Sequence, residues 1–90
     1  MDKKKISEII DKSLKMKVGD VKDAWKAPAI VAGDNFILTR ANTKDEAIEL
    51  RDRVKAALKD KYIIGQGIIE FDPVNVRYYQ RLTISDKQSN

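Results

Sequence analysis

Residues 43 to 60, TKDEAIELRDRVKAALKD, carry a helical period, and the stretches on either side of them do not. Thr43 to Glu46 form a capping box, in which the threonine side chain accepts from the backbone three residues on and the glutamate returns a bond. Ala47, Leu50, Val54, Ala57 and Leu58 then fall on one stripe, while Glu49 and Arg53 sit four apart on the solvent side. The spacing predicts a helix over residues 44 to 60. Before it, AIVAGDNFILTR reads as two short strands, residues 29 to 32 and 35 to 41, around a turn at Gly33-Asp34-Asn35, residue types that tolerate positive φ. After it, YIIGQGIIEF (residues 62 to 71) is too apolar and β-branched for a loop. Asp72-Pro73-Val74-Asn75 makes a turn, and VRYYQRLTI (residues 76 to 84) returns antiparallel. A helix between two strand pairs buries its stripe most economically against the sheet they form.

The N-terminal quarter is less settled. Ile6, Ile9, Ile10 and Leu14 lie at helical spacing and predict an amphipathic helix over residues 3 to 15. Leu14, Met16 and Val18 alternate as in a strand until Gly19 stops the run. Asp20 could cap a further short helix through Trp25, ended by Ala27-Pro28. Trp25 is read as cover for the core edge, its other use being an interface anchor. The expected fold is α+β, an N-terminal helix followed by ββαββ, with an antiparallel sheet of about four strands and helices on one face. Residues 1 to 84 form a single domain, and residues 85 to 90 a polar tail.

Two absences narrow the chemistry. The 90 residues contain no cysteine and no histidine. Disulfides, thiolate sites and the usual zinc, copper and iron ligand sets are excluded, as are imidazole and thiol catalysis. An enzyme would have only carboxylates, lysines and tyrosines to work with, and no motif arranges them, so the chain reads as non-enzymatic and without a cofactor. Gly65-Gln66-Gly67 opens like a dinucleotide fingerprint, but position 70 is glutamate and the run lies inside a strand. Its glycines read as room for the 44 to 60 helix, or as a bulge. Asp45, Glu46 and Glu49 suit a first helical turn; neither they nor Asp20 and Asp23 sit in a cation-binding loop. No stretch approaches the eighteen or so apolar residues of a membrane span, and the basic start has no signal-peptide pattern. A cytoplasmic protein without a membrane partner is expected.

What remains is a surface. If Val76, Tyr78, Leu82 and Ile84 face the helices, Arg77, Tyr79, Arg81 and Thr83 face the other way. With the glycine face of the paired strand under the helix, Tyr62, Gln66 and two isoleucines would join them. Aromatic rings can stack on unpaired bases while arginines take phosphates, with Arg40 and the N-terminal Lys3, Lys4 and Lys5 adding charge to a chain of net +4. The first expectation is a DNA- or RNA-binding module working through this basic and aromatic sheet face. The same residue types are enriched at protein interfaces. The alternative is therefore a small phage- or mobile-element-type accessory protein that docks on a larger protein or assembles with itself.

Overall fold

The computed structural model describes residues 2–20, 22, 27–65 and 67–87. In chain order the elements are α1 (Lys3–Leu14), β1 (Val18–Gly19), β2 (Ala29–Ala32), β3 (Phe36–Ala41), α2 (Lys44–Leu58), β4 (Tyr62–Ile64), β5 (Glu70–Asp72) and β6 (Arg77–Asp86). The class is α+β, as the pattern predicts. The sheet, however, has six strands and is mixed, in the order β1-β2-β3-β6-β4, with β5 also on β6. β1 runs parallel to β2 and every other pairing is antiparallel. The alternation at Leu14, Met16 and Val18 becomes strand only at its last step. The short helix anticipated through Trp25 lies outside the described residues, apart from Asp20 and Lys22.

Each helix is terminated by identifiable chemistry. Asp2 caps α1 by accepting from Lys4 and Lys5 N–H. Lys15 ends the helix in the left-handed region at φ 60°, its N–H bonded to the Asp11 carbonyl. Arg53 Nη2 donates to the Leu14 carbonyl at 3.5 Å, placing a cation at the negative end of the α1 dipole. In α2 the Thr43 hydroxyl accepts from Glu46 N–H at 3.1 Å, and Glu46 accepts from Asn42 N–H, one residue before the cap.

Both helices cover one face of the sheet. Ile6, Ile10 and Leu14 of α1 and Leu50, Val54 and Leu58 of α2 share a core with Ile30, Ile37, Leu82, Ile84 and Tyr62. Burying each large aliphatic side chain contributes about 1.5–3 kcal/mol, so Leu82 and Ile84 of β6, with Ile37 of β3, anchor the helical layer on the two central strands. Its register against β3 sets Ile37 beside Leu82 and Thr39 beside Gln80. Thr39 and Gln80 are the buried polar residues of the described core.

The expected continuous strand over residues 62 to 71 is broken in two. Ile64 pairs with Ile84 and Glu70 with Tyr79, so five residues of the edge oppose four of β6. That extra residue is a bulge, and it reverses which parity faces the helices. The glycines serve this bulge and not α2. A Cβ on Gly67 would lie 2.6 Å from the Arg81 carbonyl oxygen, and one on Gly65 would collide with the Thr83 hydroxyl. Gln80 Nε2 closes the bulge by donating to the Gly67 carbonyl at 2.6 Å. At the β2–β3 turn, Gly33 likewise answers to space: its φ is not positive, and a Cβ there would enter the Phe36 ring. β6 itself runs on to Asp86, taking Ser85 and Asp86 out of the expected tail.

Candidate functional site

The face away from the helices is built of cross-strand rows fixed by register. One row joins Ala29, Arg40, Tyr79 and Glu70 across β2, β3, β6 and β5. A second joins Val31, Leu38 and Arg81, and further pairs set Phe36 beside Thr83, Asp72 beside Arg77 and Ile63 beside Ser85. Arg77, Tyr79, Arg81 and Thr83 thus share one face, as the alternation predicts, and the β3–β6 register adds Arg40 to them. No described helix packs on this side.

The charges on this face are largely answered from within it. Arg40 Nη1 lies 3.3 Å from Asp72 Oδ2, with both side chains mostly covered, and its guanidinium sits 5.6 Å from the Tyr79 ring centroid. The Tyr79 hydroxyl is hydrogen-bonded to Glu70, whose carboxylate raises its pKa above the ordinary phenol value. Arg81 remains exposed, with its guanidinium 4.1 Å over the Phe36 ring. Alternation from Tyr62 and Gln66 carries Glu70 onto this face as well, and Asp72, read from the sequence as part of the turn, joins it as the last residue of β5.

Other expected members are elsewhere. Tyr62 points inward, 5% exposed against the core, where burial foremost, with Asp86 and Asp2 nearby, raises its pKa. The expectation that it faced outward fails because β4 takes the opposite parity, Tyr62 aligning with Asp86 and Ile64 with Ile84. Gln66 lies outside the described residues, as does Trp25. Lys3, Lys4 and Lys5 are exposed in the first turn of α1, on the helical side. Lys3 pairs with Asp34 at 3.3 Å, at the β2–β3 turn and hence the opposite end of β3 from Arg40 and Tyr79. The structure does not bring these lysines to the arginine face.

The sheet ends in a hairpin organised by one carboxylate. Asp72 accepts from Val74 N–H at 3.0 Å, Asn75 N–H at 3.4 Å and Asn75 Nδ2 at 2.9 Å. The bond from the Asn75 side chain foremost, with that from Arg40, holds its pKa below the usual carboxylate value despite desolvation. Val76, expected as the first inward residue of the strand, instead closes the turn at φ 54°. A β-branched side chain is strongly disfavoured there. Val74 and Val76 are 86% and 68% exposed, and Ile63, Ile68 and Phe71 continue the exposed apolar series along the same edge. Phe71 is steadied by Tyr78, their ring centroids 5.1 Å apart.

Among the described residues no group of three or more acidic side chains is placed to hold a metal ion, and no helix is long and apolar enough to cross a membrane. Comparison with protein-family models, with curated proteins and with solved structures finds no match.

Proposed function

We propose that the chain is a non-enzymatic binding module whose working surface is the sheet face of Arg40, Arg77, Tyr79, Arg81, Phe36 and Leu38, and that this face engages another protein. The observation that carries the choice of partner is the pairing of Arg40 with Asp72 at 3.3 Å together with the Tyr79–Glu70 hydrogen bond. A phosphate backbone approaching this face would meet two carboxylates, and Tyr79 is already committed to one of them. Half-buried aromatic and aliphatic side chains beside arginines are what protein interfaces favour, and a mixed-charge rim suits them. An accessory role on a larger protein follows from this reading.

Nucleic-acid binding is the second reading, favoured by the exposed Arg81 stacked on Phe36. A photo-crosslinking amino acid at Thr83, set against one at Lys12 on the helical side, tests the first. A defined protein adduct is expected from position 83 only, abolished by Arg81→Glu and competed by unlabelled wild type. Anisotropy titrations of single-stranded DNA, duplex DNA and RNA with wild type and Arg77→Ala/Arg81→Ala test the second. Tight binding that the double variant loses while folded would replace the protein reading.

A further inference from the structure

The edge formed by residues 62 to 76 is a different surface from the sheet face. β4 and β5 have β6 on one side and no strand on the other among the described residues. An unpaired edge carrying Ile63, Ile68 and Phe71 at 54%, 80% and 49% exposure is a template for another strand.

From this edge we infer that the chain forms a two-fold dimer with a second copy of itself, antiparallel and centred between Gly67 and Ile68. Three registers are worth comparing. Centring on Phe71 sets Glu70 opposite Asp72 of the second copy, and like charges directly opposite are destabilising. Centring on Ile63 pairs only β4 with itself and leaves Ile68 and Phe71 in water. Centring on the bulge pairs β4 with β5 of the second copy, so that Ile64 meets Phe71 and Ile63 meets Asp72.

Faces decide in favour of the last. A two-fold perpendicular to the sheet keeps helical faces on one side, so paired residues must share a face. Ile64 and Phe71 are both on the helical side, and Ile63 and Asp72 both on the open side. Only the extra residue in the bulge makes that agreement possible. Charge agrees as well, because Lys61 falls diagonally to Asp72 of the second copy, within reach of a long side chain.

The absence of cysteine makes a clean test possible. In this register the two Ile68 Cα atoms lie about 6 Å apart, within disulfide range, whereas the two Ile63 Cα atoms are separated by roughly 30 Å along the strands. Ile68→Cys is expected to crosslink to itself under mild oxidation and Ile63→Cys is not. Sedimentation velocity of the whole chain is expected to give twice the 10.3 kDa monomer mass, and Ile68→Lys to give a monomer with an unchanged cooperative melt. A wild-type monomer in the millimolar range overturns the dimer, as does a dimeric sample in which Ile68→Cys fails to crosslink. Either result leaves the sheet-face proposal standing, since Thr83 and Arg81 lie off this edge.

Discussion

Thr39 carries a hydroxyl into the centre of the core. Its Oγ1 has no hydrogen-bond partner among the described residues, nor has the Oε1 of Gln80, its cross-strand neighbour. A buried unsatisfied polar group costs about 1–3 kcal/mol, so Thr39→Val is expected to raise stability by about 1 kcal/mol. The check is a higher urea midpoint at unchanged slope; a lower midpoint would mean that the hydroxyl is satisfied after all. Val76 offers a second gain. Left-handed backbone costs an ordinary residue about 1–2 kcal/mol, and asparagine tolerates that region. With 68% of Val76 exposed, Val76→Asn forfeits little burial and is expected to raise the melting temperature by about 4–8 °C per kcal/mol recovered. No rise would show that the tip relaxes without help. Asp72 gives a pH signature. Its folded pKa is lowered, chiefly by Asn75 and also by Arg40, so its contribution is complete above the unfolded value near about 4 and is lost as pH falls through the folded one. Asp72→Asn is expected to be less stable than wild type at neutral pH, with the gap closing below about pH 4. A gap independent of pH across melts from acid to neutral would remove the carboxylate from the account.

The elements differ in how much of their information is local. α2 is legible because a capping box and a 3.6-residue stripe need nothing from outside the segment, and Thr43, Glu46, Leu50 and Val54 behave as the pattern implies. β6 is legible in the same way: alternation alone puts Leu82 and Ile84 inside and Arg81 and Thr83 outside. The 62 to 72 edge is not, because its facing is set by what it pairs with. One extra residue against β6 turns Tyr62 and Ile64 inward while Glu70 stays out, and no feature of YIIGQGIIEF by itself says where that residue goes. The two glycines were the available signal, and they mark contact with β6 and not room for a helix. Gly67→Ala tests this element. Its Cβ would sit 2.6 Å from the Arg81 carbonyl, and overpacking of this kind costs about 1–3 kcal/mol. Faster amide exchange is expected at both Tyr62–Ile64 and Glu70–Asp72, with α2 unchanged. Exchange that rises evenly over the whole chain would show that the bulge is not a local unit.

At the scale of the molecule, the question is where the net charge of +4 can act. The chain measures 44 × 21 × 21 Å, and its cations are spread over that length. Lys3, Lys4 and Lys5 stand on the helical side in the first turn of α1, whereas Arg40 and Arg77 stand on the open face toward the hairpin and Arg81 on the same face over Phe36, nearer the β2–β3 turn. No flat or straight polyanion can touch both sets from one side. Among the described residues the open face carries three arginines, and Arg40 is already shared with Asp72. Binding to a duplex falls with salt at a slope of about −0.9 per phosphate neutralised, so two or three contacts predict a loss of roughly tenfold to fortyfold between 50 and 200 mM salt. A surface uniting all six cations would lose on the order of a thousandfold or more over the same range. Whatever weak polyanion binding occurs is thus expected to have a shallow slope, reduced by about 1 in Arg81→Ala and unaltered when Lys3, Lys4 and Lys5 become alanine. A steep slope that the lysine variant flattens would relocate the polyanion site to α1 and strip the sheet face of any nucleic-acid role. A shallow one leaves that face to the partner its arginines, rings and carboxylates suit better, another protein.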